Sequence, residues 1–267
     1  MLRGIYSSAS GMLVNQKEQD IRANNLANIN TNGFKKDMSV KGDFREILIS
    51  RLEREGKDIS DLSSGISSII GHLGTGTILE ESVTNFETGS YKETDNPFDL
   101  ALKGEGFFAV EGPGDEVHYT RNGSFSFDNE GRLVTQQGYP VLSEEGEIVF
   151  EDNEEFYIDE EGSIFVDDEE EPSYQLELYN FENPQGLLKV GENLFMETDV
   201  SGEAEDIIGD EDLEVLQGYL EESNVSTAEE MAGMINALRA YEANQRALST
   251  QDEALEQAVN RVGRTTG

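Results

Sequence analysis

The chain has 267 residues, with 56 Asp and Glu against 19 Lys and Arg, and a formal net charge of -37. Such a chain is repelled by phosphate groups, which rules against nucleic acid as a partner, and an anionic membrane surface is disfavoured for the same reason. It contains no cysteine, so disulfides, thiolate metal sites and cysteine nucleophiles are excluded too. No stretch approaches the roughly 18 apolar residues that would predict membrane insertion.

The first predicted element is a helix from Leu2 to Asn30, in which small or apolar residues recur at alternating spacings of three and four. Asn and Gly residues from Asn30 to Gly33 are typical of a helix end, so we place the N-terminal helical segment at 1–34. Gly4 and Gly11 are either points of close helix approach or weak points in the helix. The predicted seam is Leu2, Ile5, Ala9, Met12, Ala23 and Leu26, with Gln16 and Gln19 between them.

Residues 35–76 are predicted to be a linker. A short amphipathic stretch carries Phe44 and Leu48 four positions apart, which predicts one or two helical turns. His72 lies in a part of the linker rich in Gly and Ser, with no nearby motif that supplies a catalytic partner.

Residues 77–212 are predicted to form a β-rich body, because short runs with aromatic and β-branched residues alternate with Gly, Asp and Asn clusters. Many short strands with regular turns indicate an antiparallel β domain. Two segments, 128–131 and 159–162, have the composition of hairpin turns closed by Gly. Phe107 and Phe108 are expected on opposite faces of one strand.

The acidic excess is concentrated in this body, where Lys189 is the only basic residue between Leu133 and Leu238. One interpretation is a cation-binding body, and the other is a solvated surface suited to high salt. The carboxylates are spread through every strand and turn, which favours the second interpretation and predicts a salt-adapted source organism.

A second linker is predicted at 213–225 and a C-terminal helical segment at 226–267. Ser226 and Glu229 have the spacing of a capping box, which predicts a helix that starts there and continues to Val262. Gly233 is a third position where helix backbones could approach closely. The predicted seam of this helix is Met231, Met234, Leu238, Tyr241, Leu248, Leu255, Val259 and Val262, interrupted by Gln245 and Asp252.

The fold class predicted from these elements is α+β, with N- and C-terminal helices that form a coiled-coil-like arm and an antiparallel all-β central domain. Both helical seams include polar or small residues and bury too little apolar area to hold a helix pair firmly. We therefore expect other copies of the chain to complete them.

Three ordered blocks of sequence resemble the bacterial flagellar basal-body rod and hook protein family. They are 10–12 with 21–35 near the N-terminus, 99–110 with 119–125 and 131–139 in the β body, and 220–245 near the C-terminus. Within the family, the single β body argues against the hook protein. Residues 216–225 are most similar to the members that form the distal rod, and a proximal rod paralogue is the alternative.

The resemblance implies a structural subunit with no catalytic activity and no cofactor or metal. Such subunits assemble into a helical homopolymer, and other rod and hook proteins are their partners. The resulting tube transmits motor torque to the hook and encloses the export channel. The terminal helices would form the inner tube, and amides of Asn24, Asn25 and Asn28 would bond between copies. Phe44 with Leu48 would be a possible signal for the flagellar type III export apparatus.

The resemblance also implies an extracytoplasmic location in the flagellar basal body, reached without a cleaved signal peptide. Ring or bushing proteins around the rod are further possible partners. The alternative from a different class is an acidic β-rich surface module that binds cations or carbohydrate.

Overall fold

The computed structural model of the protein describes residues 2–43, 46–51, 68–74, 76–114, 116–150, 156–166, 171–191, 193–209 and 213–262. Helix α1 covers Leu2–Ala27 and helix α2 covers Thr227–Val262. The helix starts and the long α2 agree with the predictions, and α1 ends three residues before the expected Asn30. No helix in the described ranges has the length and apolar character needed to cross a bilayer.

Short antiparallel strands follow one another along the sequence between the helices, so the fold class is α+β, as predicted. In chain order the strands are β1 (Asp37–Asp43), β2 (Glu46–Arg51), β3 (Ser68–Gly74), β4 (Thr77–Thr84), β5 (Tyr91–Glu93), β6 (Leu100–Lys103), β7 (Phe107–Glu111), β8 (Val117–Thr120), β9 (Phe125–Phe127), β10 (Leu133–Thr135), β11 (Leu142–Ser143), β12 (Gly146–Glu147), β13 (Phe156–Ile158), β14 (Ser163–Val166), β15 (Tyr174–Gln175), β16 (Leu178–Asn180), β17 (Leu188–Val190), β18 (Leu194–Met196), β19 (Glu205–Asp206), β20 (Glu214–Gln217) and β21 (Tyr219–Glu221). Within the described ranges, one 3-10 turn lies at Pro184–Gly186.

The chain divides into two compact units. The first, which we call the arm unit, comprises Met1–Ala23, Met38–Val83 and Ala228–Gly267. Besides most of the two helices, it holds the β1–β4 pair and the antiparallel β2–β3 hairpin, whose register shifts between Ile49 and Ser50. One or two helical turns were expected in this part of the chain. The described residues form strands instead, because β-branched Ile47 and Ile49 favour a pleated backbone.

The second, which we call the body unit, comprises Asn24–Asp37 and Thr84–Thr227. Its largest sheet has six strands in the order β17-β18-β8-β7-β16-β19, and neighbouring strands in it are antiparallel. Two strands lie inside the predicted linker 213–225, where β20 pairs with β6 and β21 with β5. Most of the predicted linker therefore belongs to the sheets of the body unit, and α2 begins directly after it.

Two hydrophobic clusters lie on opposite faces of β7. Phe108 belongs to the main core with residues such as Leu100, Ile148 and Ile164, whereas Phe107 belongs to a smaller aromatic cluster with Phe195. Adjacent residues of a strand point to opposite faces, as expected, but here both faces are covered and both rings are buried.

Both predicted hairpin turns are confirmed, and they share one hydrogen-bond pattern. Asp128 Oδ1 accepts from the backbone N–H groups of Glu130 at 2.8 Å and Arg132 at 3.0 Å, and Gly131 has φ of 79°. Asp159 Oδ1 accepts in the same way from residues 161 and 163, and Gly162 has φ of 85°. Only glycine adopts this left-handed backbone at little cost, which explains the closing Gly of each turn.

Candidate assembly surface

Helices α1 and α2 pack against each other in opposite directions within the arm unit. A β-carbon added at Gly4 would lie 2.5 Å from Gln251 Oε1, and one at Gly11 would lie 2.8 Å from Asn244 Nδ2. A step of seven residues along α1 thus matches a step of seven residues back along α2. The glycines admit polar side chains of the opposite helix, which replaces the expectation that they bring two backbones together.

A cluster of charges continues this register toward the other end of α1. Arg22 occupies the space beside Gly233 and donates from Nη1 to Glu230 Oε2 at 3.1 Å and from Nη2 to Glu18 Oε1 at 3.0 Å. Lys41 Nζ lies 2.6 Å from Glu18 Oε2. Burial opposes ionisation of Glu18, but its hydrogen bonds to Lys41 and Arg22 outweigh burial and leave the pKa of this carboxyl below its usual value.

The helix faces that meet are lined by small and polar residues. We call these positions the small-polar stripe, and most of them are buried or half-buried. On α1 the stripe is Gly4, Ser8, Gly11, Asn15, Glu18 and Arg22, and on α2 it is Glu230, Gly233, Ala237, Ala240, Asn244, Ala247 and Gln251.

The predicted apolar seams lie one residue further along each helix, which rotates them by about 100° from the small-polar stripe. We call these positions the apolar stripe. On α2 its exposed members are Met231 at 52%, Leu238 at 47% and Val259 at 69%, whereas Met234 and Tyr241 are half-buried, as are Leu248 and Leu255. On α1, Ile5, Ala9, Met12 and Leu26 are half-buried and Ala23 is exposed; the side chains of Leu2 and Val262 lie outside the described set.

The three asparagines predicted to bond between copies have different surroundings. Asn25 is buried, where its Nδ2 donates to the Asp37 carbonyl at 2.9 Å and its Oδ1 accepts from the Asp37 N–H at 3.0 Å. Asn28 Nδ2 donates to the Asn24 carbonyl at 3.1 Å. These two amides are used inside the chain, and Asn24 is the exposed member of the three.

The possible export signal is only partly visible. Phe44 lies outside the described residues, and Leu48 is part of strand β2.

Sequence reasoning missed a set of buried charges in the body unit, which we call the buried ion cluster: Lys35, Arg121 and Glu221. Lys35 Nζ lies 2.6 Å from Glu221 Oε1 and donates to the Glu87 carbonyl at 2.9 Å, and Arg121 Nη1 lies 3.8 Å from Glu221 Oε2. Burial lowers the pKa of both the Lys35 ammonium and the Arg121 guanidinium, against the attraction of Glu221. The cluster joins the end of the N-terminal motif to strand β21.

The backbone around the cluster is equally constrained. Gly33 donates its N–H to the Glu221 carbonyl at 2.7 Å, has φ of 67°, and would place an added β-carbon against the Arg121 carbonyl. Asn224 closes the same region, because its Oδ1 accepts from the Lys36 N–H at 2.8 Å and its Nδ2 donates to the Asn85 carbonyl at 2.8 Å. Both terminal motifs are therefore fastened to the body unit at one place.

Lys189 also belongs to this place. Its Nζ lies 4.1 Å from the centre of the Phe34 ring and 3.1 Å from Asp37 Oδ2, and it donates to the Lys35 carbonyl at 3.1 Å. Burial lowers the pKa of this ammonium despite Asp37. Its isolation in a long acidic stretch was the sequence signal that could have identified it.

The two histidines lie in strands. His118 is buried, with Nδ1 2.9 Å from the Glu116 carbonyl, and His72 lies in β3. Within the described ranges, no group of His, Asp and Glu has an arrangement that could hold a metal ion.

Comparison with known proteins extends over almost the whole chain. Residues 5–35 match the model of the flagella basal body rod protein family, 101–166 the flagellar hook protein FlgE/F/G D1 domain, and 216–261 the flagellar basal body rod FlgEFG protein C-terminal. The chain is 39% identical to the flagellar basal-body rod protein FlgG of Borreliella burgdorferi, over 97% of this chain and 98% of that one. It is 35% identical to FlgG of Bacillus subtilis (97% and 99% covered) and 31% identical to the flagellar hook-basal body complex protein FlhO of that species (99% and 100%).

Proposed function

Because the chain belongs to the flagellar basal-body rod protein family, we propose that it is a structural subunit of the flagellar rod, which assembles with copies of itself and with other rod and hook proteins into a helical tube. The family is structural rather than enzymatic. The tube would transmit motor torque to the hook and enclose the export channel.

The observation that carries the proposal is the position of the apolar stripe. The two helices pair through the small-polar stripe, so Met231, Leu238 and Val259 remain exposed on α2. On α1, Tyr6 and Leu13 are exposed as well. Exposed apolar side chains in a row along a helix mark a surface for protein contact. A coiled-coil-like arm completed by neighbouring copies would bury them.

The finer assignments follow from the same proposal. Segments 1–34 and 226–267 would supply the inner tube, with the β-rich body outside it. The location would be the extracytoplasmic part of the basal body, reached through the type III export apparatus without a cleaved signal peptide. Ring or bushing proteins would surround the body. We favour the distal rod over the proximal rod, because residues 216–225 are most similar to the members that form the distal rod.

The test compares two variants, each with one added negative charge on α2. In the first variant the charge lies on the apolar stripe, and in the second it lies on another face of the helix. Leu238→Glu should abolish polymerisation of the full chain, because a carboxylate cannot be buried unpaired between helices. Thr250→Glu adds the same charge at an exposed position about 120° around α2 from Leu238 and should leave polymerisation intact. Electron microscopy of the two variants reads out rod formation. Normal rods from Leu238→Glu would contradict the role of the apolar stripe.

The alternative of a cation- or carbohydrate-binding module has no comparable support. The described carboxylates form no metal-binding group, and the matched families are flagellar.

A further inference from the structure

The arm unit carries an exposed apolar surface on strands β1 and β4, which pair with each other. Met38 is 44% exposed, Val40 38% and Ile78 42%. A β-carbon added at Gly42 would overlap the Glu80 side chain, so Met38 and Val40 on one strand and Ile78 on the other point to the same side. We call this surface the ribbon face. Two paired strands alone are only marginally stable, so a partner that covers such a face stabilises them.

Helix α1 of the same copy lies on the other side of the two strands. Lys41, which points away from the ribbon face, has its Nζ 2.6 Å from Glu18 Oε2. Leu79 and Val83 are on that same side of β4, and both are half-buried. The ribbon face therefore points away from the copy's own α1 and is exposed in the folded copy.

The charge around the ribbon face limits what can bind there. Strands β1 and β4 together carry four acidic residues and one basic residue, which are Asp37, Asp43, Glu80, Glu81 and Lys41. The basic residue is engaged by Glu18 on the other side, whereas Glu80 lies on the ribbon face itself. A partner with complementary charge has a cation beside its exposed apolar side chains.

Helix α1 presents such a surface. It has three basic and two acidic residues, whereas α2 has three basic and six acidic residues. Tyr6 is 72% exposed and Leu13 64%, and exposed Lys17 follows Leu13 by one turn. These three residues lie roughly opposite the small-polar stripe around the helix, so α2 does not cover them. Lys17 has no ion pair with another described residue, and Asp20 is the one exposed acidic residue of α1.

The spacing of the two surfaces agrees. Tyr6 and Lys17 are separated by about 17 Å along the helix axis. Met38 and Gly42 are separated by about 14 Å along the strand. Because the Glu80 side chain lies over Gly42, apolar contacts can form at one end of the ribbon face while Lys17 reaches Glu80 at the other.

We infer that the ribbon face of one copy receives α1 of a neighbouring copy, with Tyr6 and Leu13 on its apolar residues and Lys17 against Glu80. This inference rests on the proposed function and names the surface that covers the exposed side of α1. The contact joins two different surfaces, so it repeats from copy to copy, as a helical tube requires. Apolar burial drives the association, and the ion pair selects the orientation.

The chain has no cysteine, so introduced thiols report only designed contacts. The full chain carrying Leu13→Cys and Val40→Cys is assembled into rods and mildly oxidised. A ladder of disulfide-linked copies on a denaturing gel is expected, because each copy is then linked to two neighbours. The matched control pairs Leu13→Cys with Glu81→Cys, an exposed position on the other side of the two strands, and should give no ladder.

Rods without a ladder from the 13 and 40 pair would overturn this inference and leave the proposed function standing. A disulfide within single copies would overturn it too, because α1 would then cover the ribbon face of its own copy. Failure of the unmodified chain to form rods would overturn both the inference and the proposed function.

An exchange of charges tests the ion pair. Lys17→Glu should raise the concentration needed for polymerisation about tenfold, because two carboxylates then face each other. Adding Glu80→Lys to the same chain should restore most of the loss. Lys92→Glu, at an exposed position of the body unit, changes the net charge equally and should have little effect. A loss that Glu80→Lys does not restore, or an equal loss in Lys92→Glu, would contradict the contact.

Discussion

Lys35 and Glu221 form an ion pair with side chains almost entirely out of contact with water. Removing two charges from water is costly, and the pair is only partly compensated: Lys35 Nζ also donates to the Glu87 carbonyl, whereas Glu221 Oε2 lies 3.8 Å from Arg121 Nη1 and has no hydrogen bond in the described structure. Glu221 Oε1, for example, also accepts from the Gly89 N–H at 2.8 Å. The sequence marks Lys35 only as part of a family motif, since nothing nearby in the chain predicts a carboxylate 186 residues away.

Glu221→Gln should destabilise the body unit by about 3–5 kcal/mol, because it leaves the buried Lys35 ammonium without a counter-charge. The free energy of unfolding in urea measures the loss. Glu222→Gln changes the next residue, whose carboxylate is exposed and accepts from Ser90 Oγ at 2.8 Å, and should cost less than about 1 kcal/mol. Similar losses in the two variants would show that burial of the charge does not matter.

The Glu18 carboxylate should make stability depend on pH in a defined direction. Its pKa is below the usual 4.5, so its contribution is complete above that pH and disappears as the pH falls through the lowered value. The difference in unfolding midpoint between the natural chain and Glu18→Gln should therefore shrink on acidification below pH 4.5. Asp20→Asn, at an exposed position of α1, is the control and should show no such trend. A constant difference in unfolding midpoint down to about pH 2 would be inconsistent with the ion pairs that Glu18 forms with Arg22 and Lys41.

At the scale of elements, the sequence predicts both helices within three residues, together with the hairpins at Asp128 and Asp159. The periodicity of a helix and the residue types of a turn depend on neighbours in the sequence, so tertiary packing does not alter what they predict. It does not predict which helix face meets the other, because an apolar pattern shows which residues favour burial and not which partner buries them. Here the helices pair through positions such as Gly11 and Asn244, one residue before the apolar stripe, and the stripe stays half-buried or exposed. The β2–β3 hairpin was missed because a short apolar run fits helix and strand alike.

Gly11→Leu should loosen α1 from α2, because the added side chain occupies the space of Asn244. Amide hydrogen exchange in α1 should accelerate several-fold, since fewer contacts oppose local opening. Gln16→Leu places the same side chain at an exposed position of α1 and should leave exchange nearly unchanged. Unchanged exchange in Gly11→Leu would contradict the helix pairing.

For the whole molecule, the excess of negative charge is expected to determine how stability depends on salt. With a net charge of -37, repulsion within the folded chain should fall as salt is added, and the melting temperature should rise by several degrees between 0.1 and 1 M NaCl, where the Debye length falls from about 10 to 3 Å. Composition alone predicts this behaviour, because it depends on the sum of charges and not on their positions.

Tetramethylammonium chloride distinguishes screening from specific cation binding. At equal ionic strength it should raise the melting temperature about as much as NaCl, because screening depends on charge and concentration only. A rise with NaCl alone would favour bound cations, which the described residues do not indicate.

Both terminal motifs are fastened at one place in the body unit, through Gly33, Lys35 and Asn224. A pull on the chain at either end of that unit is thus resisted first by this junction, and the strands in between stay free of tension. In a rod that turns under load, force can pass from one terminal helix to the other through the hydrogen bonds and the ion pair of this junction. The strands of the body unit would then be protected from forced unfolding, whose rate depends on the height of the unfolding barrier.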